Sequence, residues 1–400
     1  MHIKHRIYGL DTLRSVAIIL VLMYHYVVFV SREPTFSFLS DIGWAGVDLF
    51  FVLSGYLIGN QIFSSIANQR IFSLKSFYYR RLLRTLPNYL FILGLYFLIP
   101  EFRESELLPP LWKFLTFTQN FGLNVGTAFS HAWSLCIEEQ FYLIFPALTL
   151  WIVYTKSFRA SWIIVLGVMV LGIIVRSSLW IYYVQNIEGS HAYYSKIYYS
   201  SFCRLDELIL GVSIAMVKNF RKDTWLKIIE KGNLILLFGV SSSIITLYLF
   251  SQYHYSLFMA AWGFPLLAIS FAALTLAALC PSSYLHNIKI PGAANLAVWS
   301  YAIYLAHKPL MVMTHKALLQ WGVTLPSLSV LPIIFISIFS GWLLYTCVET
   351  PFLKIRDKYF KITSIPLAKL NESPYPDLDK AGSDISIQEQ QKRSDNLQLV

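Results

Sequence analysis

Residues 14–25, RSVAIILVLMYH, place an arginine and a histidine at the two ends of ten uncharged, mostly apolar residues. The stretch lies inside a longer apolar run, 10–30, that is long enough to cross a bilayer as a helix. On an α-helix, eleven steps make three turns plus roughly 20° and rise about 16 Å. We therefore expect Arg14 and His25 on one face of a membrane helix, at different depths. An ionisable group in hydrocarbon is costly, so each should face a cavity or a partner.

Both residues also have purely structural explanations. Arg14 could extend to the inner headgroups by snorkelling, and a lone histidine could be a packed residue in a helix bundle. We favour a site because the two residues share one face and because neighbouring segments carry further ionisable groups.

The rest of the chain repeats this apolar pattern. Of its 400 residues 56% are hydrophobic and 14% charged, and the mean hydropathy is +0.55, whereas soluble domains are about 25% charged. These values predict an all-α, polytopic transmembrane helix bundle. About ten candidate spans follow one another, near 10–30, 43–66, 85–100, 135–154, 161–184, 201–218, 233–252, 256–279, 294–314 and 328–348.

The positions of lysine and arginine predict the orientation. If the N-terminus is cytoplasmic, the inner loops hold most of the basic residues, including Arg80, Arg81 and Arg84, and the outer loops hold few. This is the positive-inside pattern, and an even number of spans places both termini in the cytoplasm. It also explains the net charge of +10 without a nucleic-acid partner.

The remaining features set the domain organisation. We expect one transmembrane domain, 1–361, and a polar cytoplasmic tail, 362–400, that is too polar to fold alone. The N-terminus lacks a convincing signal-peptidase site and is interpreted as a retained first helix. The four cysteines are far apart, so we expect neither a disulfide framework nor a metal site.

Asp48, in the second span, should lie about as deep as His25. A carboxylate there could fix the imidazole tautomer and stabilise its protonated form, as a general base requires. Alternatively, Asp48 caps its helix or forms a hydrogen bond within the bundle.

The sequence YYRRLLRTLP places Arg80, Arg81 and Arg84 on one side of a helix that enters the membrane. Guanidinium groups match phosphates, so the cluster is a candidate donor-binding site. The positive-inside rule, together with contacts to lipid headgroups, would by itself explain any one of these arginines.

Further candidates occur in two later segments. HAWSLCIEEQFY contributes Trp133, Ser134, Glu138 and Glu139, of which one glutamate should face the bundle interior. WSYAIYLAHKPL contributes Tyr304 and His307, one helical turn apart. These residues are expected to line the site, although each could instead be structural. Arg204, Asp206 and Glu207 could form internal ion pairs.

Seven stretches, taken together and in order, resemble the acyltransferase-3 family of integral membrane acyltransferases, which includes O-antigen and exopolysaccharide O-acetylases. They are LDTLRSVAIILVLMYH, GVDLFFVLSGYLIG, YYRRLLRTLP, WSLCIEEQFYLIFP, RLDELILG, SYAIYLAHKP and VETPF, over roughly residues 8–355. The resemblance implies about ten spans, an acyl-CoA co-substrate with no bound cofactor, and transfer to a hydroxyl, usually of a sugar. The family's first-helix arginine and histidine match Arg14 and His25, and its arginine motif matches Arg80, Arg81 and Arg84.

These inferences lead to one hypothesis and one rival. The hypothesis is a bacterial inner-membrane O-acetyltransferase whose acceptor is a glycan such as lipopolysaccharide O-antigen or exopolysaccharide, or its lipid-linked precursor. His25, oriented by Asp48 or a glutamate, would deprotonate the acceptor hydroxyl, and Arg14 would steady the donor or the oxyanion. The acyl group could arrive on the extended thioester or through a side-chain relay. The rival is a proton-coupled transporter that uses the same ionisable groups as a pathway.

Overall fold

The computed structural model describes residues 6–70, 72–154 and 158–359, and within these ranges it contains helices and no β-strand. In this described part of the chain, ten helices have 15 residues or more: α1 (Tyr8–Tyr26), α2 (Gly46–Ala67), α3 (Leu74–Leu98), α4 (Trp133–Tyr154), α5 (Phe158–Leu179), α6 (Asp206–Phe220), α7 (Gly232–Tyr253), α8 (Phe264–Leu279), α9 (Ala293–Gln320) and α10 (Pro326–Leu344). Shorter α-helices occupy Phe38–Ile42, Leu111–Leu115, Gly189–Ala192, Lys222–Ile229, Tyr284–Asn287 and Thr350–Tyr359.

Each of the ten predicted segments overlaps one of these ten helices, which confirms the all-α prediction. Six helical stretches among the described residues are long and apolar enough to cross a membrane: Tyr8–Ser31, Phe38–Ala67, Arg159–Asn186, Gly232–Tyr253, Met259–Leu279 and Pro326–Tyr359. The other long helices, α3, α4, α6 and α9, contain the charged and polar residues discussed below. A total of ten spans with cytoplasmic termini remains an expectation. The predicted tail, 362–400, and its boundary lie outside the described residues.

The bundle has a buried centre and an exposed periphery. Helices α1, α2, α6, α8 and α9 pack against one another, and within the stretch that contains α2 an apolar 18-residue window is 83% buried. Gly55 and Gly211 allow α2 and α6 to approach closely, since a β-carbon on Gly55 would collide with the Leu208 carbonyl. By contrast, the corresponding 18-residue windows are only 17% buried in the α5 stretch and 28% buried in the α7 stretch, as expected for helices that face lipid.

Helix α1 defines two ends of the bundle. Its first turns carry Arg14, and the basic start of α3 lies at the same end, where α3 contacts Thr350–Tyr359. We call this the arginine end. The last turn of α1 carries His25, which meets α9 and the connection between α3 and α4. We call this the histidine end.

Candidate active site

Three histidines from three parts of the chain meet at the histidine end. His307 Nε2 lies 2.8 Å from His25 Nδ1, and the ring centroids of these residues are 4.8 Å apart. His131, from the turn before α4, lies 5.2 Å from His307 and 6.3 Å from His25 between ring centroids. His131 and His307 are buried, whereas His25 is partly exposed.

The hydrogen bonds of His307 determine which nitrogen of His25 is free. His307 Nδ1 lies 2.8 Å from the Tyr304 carbonyl and 3.1 Å from the Ile303 carbonyl. A carbonyl only accepts, so Nδ1 carries the proton and Nε2 of a neutral His307 offers a lone pair. His25 Nδ1–H then donates to that lone pair. The unprotonated Nε2 of His25 is left available as a base.

This arrangement differs from the predicted one. His25 hydrogen-bonds His307, and Asp48 instead pairs with Arg204, which also contacts Glu207 at 3.3 Å. All three of these side chains are fully buried. A buried guanidinium needs a compensating carboxylate. Asp48 therefore forms an ion pair with Arg204, and the prediction that Asp48 orients His25 is wrong in this structure. The predicted internal ion pairs are present, and Asp206 pairs with Arg176 at 2.6 Å.

A buried ion pair fixes the loop over the histidines. Lys308, next to His307, contacts Glu104 at 2.8 Å and donates to Ser130 Oγ at 2.7 Å. Glu104 also accepts from the Phe129 N–H at 2.9 Å. The pair therefore joins α9 to both ends of the loop that carries His131. Burial lowers the pKa of His131 well below its ordinary value, and the nearby His307 and Lys308 lower it further, so His131 is neutral.

A cavity of about 70 Å³ lies between the two ends. It has space for a few water molecules or a group of acetyl size. Its polar lining comprises Arg14, Ser54, Ser134, Glu138, Ser300, Tyr301 and Tyr304. Ser54 donates to Glu138 Oε1 at 2.6 Å, so its hydroxyl holds this carboxylate in the cavity wall.

Two hydroxyls lead from this cavity toward the histidines. Tyr304 Oη donates to the His131 carbonyl at 2.7 Å and lies 2.7 Å from Ser134 Oγ. Because the Tyr304 proton goes to a carbonyl, the Ser134 hydroxyl must donate to Tyr304. Ser134 therefore presents lone pairs, and Arg14 is the cationic group of the cavity lining.

The arginine end concentrates positive charge beside the cavity. Arg81 stacks on the Tyr142 ring at 3.8 Å from its centroid and interacts electrostatically with Glu138 and Glu139. The charges of Arg14, Arg81 and Arg356 all act on Arg84. Arg80, one turn earlier on α3, is half-buried and interacts with the charge of Arg356. Five arginines thus lie near one another, and Glu349, held by Asn88 at 2.7 Å, partly compensates them.

The predicted site residues therefore fall into connected groups. Arg14, Ser134, Glu138 and Tyr304 line the cavity, and His25 meets His307 beyond it. Trp133 lies behind the lining and packs on Phe51, at 5.9 Å between ring centroids. Glu139 lies near Arg81 rather than in the cavity lining.

Sequence reasoning missed His131, Glu104, Lys308 and Arg356 as parts of these clusters. The signal for Lys308 was its place beside His307 within an apolar segment. His131 also stood beside predicted site residues, in HAWS. Glu104 offered no signal, because its partner is distant in sequence.

Comparisons with known proteins agree with the resemblance seen in the motifs. A family model described as an acyltransferase domain matches residues 7–346. The chain is 29% identical over 330 residues to peptidoglycan O-acetyltransferase OatA of Listeria monocytogenes, covering 78% of this chain and 50% of that protein. It is 30% identical over 328 residues to putative peptidoglycan O-acetyltransferase YrhL of Bacillus subtilis, covering 76% of this chain and 49% of that protein.

A third relative is O-acetyltransferase OatA of Staphylococcus aureus, 27% identical over 381 residues, with 88% of this chain and 58% of that protein covered. The chain thus spans about half the length of the curated relatives it matches. No solved structure matches it. Because the family model covers most of the sequence and includes both Arg14 and His25, the chain belongs to the acyltransferase-3 family of membrane acyltransferases.

Proposed function

We propose that this protein transfers an acetyl group from acetyl-CoA to a hydroxyl of a cell-surface glycan, in the inner membrane of a bacterium. The observation that carries the proposal is the continuous series of polar groups from the arginine end, through the cavity, to the free Nε2 of His25. One end suits an anionic donor, and the other suits removal of a proton from an acceptor.

The donor would bind at the arginine end. Arg80, Arg81 and Arg84 supply guanidinium groups for the phosphates of CoA. Arg81 is held against Tyr142, so its position is largely fixed before the donor binds. Arg14, on the cavity wall, would hold the pantetheine arm beyond the phosphates. On the positive-inside argument this end faces the cytoplasm, where CoA is found.

The acceptor would bind at the histidine end. His25 Nε2 takes the proton of the acceptor hydroxyl as its oxygen attacks the thioester carbonyl. The new C–O bond forms, the C–S bond breaks, and the proton passes from His25 to the departing sulfur of CoA. His307 keeps His25 in the tautomer that can accept this proton.

The acceptor glycan is a matter for experiment, and two classes have support. The motif resemblance implies O-antigen or exopolysaccharide, whereas the names of the relatives above refer to peptidoglycan. In each class the reacting group is a sugar hydroxyl, which is what the proposed chemistry requires.

Mass spectrometry of surface glycans tests the proposal. A host that lacks the gene is complemented with wild type, His25→Ala or the matched control His315→Ala, at equal membrane levels. We expect an alkali-labile acetyl mass with wild type and with His315→Ala, and its loss with His25→Ala. Purified protein that neither hydrolyses acetyl-CoA nor transfers from it would contradict the proposal and favour the transporter.

A further inference from the structure

A second and larger cavity lies along the side of the bundle, beside α5. Its volume is about 470 Å³, within the range of small-molecule binding sites, ~300–1,000 Å³. One wall is α5, with Leu171 and Leu179, and the others come from the 120–122 turn and the 195–205 segment. None of the residues proposed above for the chemistry of acyl transfer lines it.

We propose that this groove binds the hydrocarbon chain of a lipid-linked glycan acceptor and that Lys196 binds the phosphate joining the lipid to the sugar. The inference rests on the proposed function, because it names the substrate class for the same transfer reaction. It adds a binding site, separate from the site of chemistry, that would select acceptors by their lipid.

The walls of the groove suit a hydrocarbon chain. The apolar 18-residue window of the α5 stretch is only 17% buried, so this helix faces the lipid phase and the groove opens toward it. Leu171 and Phe202 on the groove are 59% and 66% exposed. A chain already dissolved in the bilayer can therefore enter sideways, without first crossing water.

One cation in the lining distinguishes the groove from an ordinary lipid-facing surface. Lys196 lines the groove, half-buried, with its Nζ 5.0 Å from the centroid of the Tyr183 ring. No carboxylate among the described side chains forms an ion pair with it. A half-buried ammonium group in an apolar groove matches an amphiphile whose hydrocarbon chain ends in an anionic group.

Hydrogen bonds connect the groove to the helix that carries the active site. Asn120 lines the groove and donates to the Tyr199 carbonyl at 3.0 Å and to Ser201 Oγ at 2.9 Å. The side-chain Oδ1 of Asn120 accepts from Gln140 Nε2 on α4 at 3.2 Å. Tyr199 in turn packs on Trp133, at 5.5 Å between ring centroids. The groove thus lies one layer of side chains away from the helix that carries Ser134 and Glu138.

Transfer to a lipid-linked and a lipid-free acceptor tests the inference. Purified full-length protein in nanodiscs is given acetyl-CoA with either a polyprenyl-diphosphate saccharide or the methyl glycoside of the same saccharide. Leu171→Trp fills the groove and Lys196→Gln removes its charge. Leu166→Trp, on the same helix and 60% exposed but outside the groove, and Lys316→Gln are the matched controls.

We expect Leu171→Trp and Lys196→Gln each to raise KM for the lipid-linked acceptor about tenfold or more. Neither should change KM for the methyl glycoside or for acetyl-CoA, and both controls should behave as wild type. Leu171→Trp and Leu166→Trp with equal KM values for the lipid-linked acceptor would overturn the inference.

A binding measurement separates this inference from the proposed function. Photocrosslinking of a polyprenyl phosphate that carries a photoreactive chain is measured in His25→Ala nanodiscs, where no acetyl transfer is needed. Two results together support the site, even if acetyl transfer is never detected. Crosslinks form on residues of the groove and are abolished by Leu171→Trp, and excess phosphatidylglycerol does not compete with the polyprenyl phosphate for this crosslinking. Equal displacement by phosphatidylglycerol would show a bulk-lipid surface and refute the proposal.

Discussion

The hydrogen bond between His25 and His307 should control the rate of acetyl transfer. In His307→Ala, the Nδ1–H of His25 loses its acceptor at 2.8 Å, and the ring is free to take the other tautomer. An unmade hydrogen bond of this kind costs about 1–3 kcal/mol. At 1.36 kcal/mol for each factor of ten, kcat should fall about 5- to 150-fold. His25→Ala removes the base itself and should cost ~10²–10⁴.

The assay is acetyl transfer from acetyl-CoA by purified protein, with kcat and KM determined separately. His307→Gln should recover much of the lost rate, because its amide oxygen can accept from His25 Nδ1–H near the position of the lost Nε2. His315→Ala, eight residues further along α9, is the control for removing a histidine from that helix. A purely structural role for His307 would lower the amount of folded protein without this rescue.

The double variant gives the decisive comparison. If His307 acts only through His25, the double variant His25→Ala/His307→Ala should be no slower than His25→Ala alone. Losses that multiply would show that the two histidines act separately. That result would refute the tautomer assignment, even if each single variant behaved as expected.

Three further variants test other contacts. Arg204→Leu leaves the buried charge of Asp48 unpaired, so thermal unfolding should show a loss of about 3–5 kcal/mol of stability, whereas an unchanged melting temperature would contradict the buried ion pair. Gly55→Val should prevent α2 from approaching the Leu208 carbonyl, and size-exclusion chromatography in detergent should show little folded protein; a normal monodisperse peak would exclude that close packing. Arg81→Ala should raise KM for acetyl-CoA about tenfold with little change in kcat, while a change in kcat alone would remove Arg81 from the donor site.

The positions of the helices could be predicted because hydropathy is a local property of the sequence. Each of the ten apolar segments overlaps a long helix, and the apolar run 10–30 predicted the helix that carries both Arg14 and His25.

Partners between helices could not be predicted in the same way. The sequence predicted that Asp48 lies at the same depth in the membrane as His25. Depth alone does not determine which neighbouring helix a side chain faces, because the rotation of α2 about its axis decides which residue the Asp48 carboxylate reaches. That rotation follows from the close contact between α2 and α6 at Gly55 and Gly211. Contact between these helices places Asp48 beside Arg204, which stands just before α6, and no property of α2 alone contains this information.

The spacing within α1 also constrains how the acetyl group can reach its acceptor. Arg14 and His25 lie about 16 Å apart on an uninterrupted helix, and the intervening residues include neither glycine nor proline, so the distance cannot shorten. This distance joins the α-carbons, and the Arg14 side chain lies toward the arginine end, close to the charges of Asp11 and Arg81. A carbonyl carbon beside His25 is therefore out of its reach. If His25 activates the acceptor, Arg14 must act on a more distant part of the donor, and the thioester must extend through the cavity between them. Because that cavity is only about 70 Å³, side chains around Ser54, Glu138 and Tyr304 have to move before the arm of CoA can pass. The hydrogen bond from Ser54 to Glu138 is thus a contact that donor binding would have to break or shift.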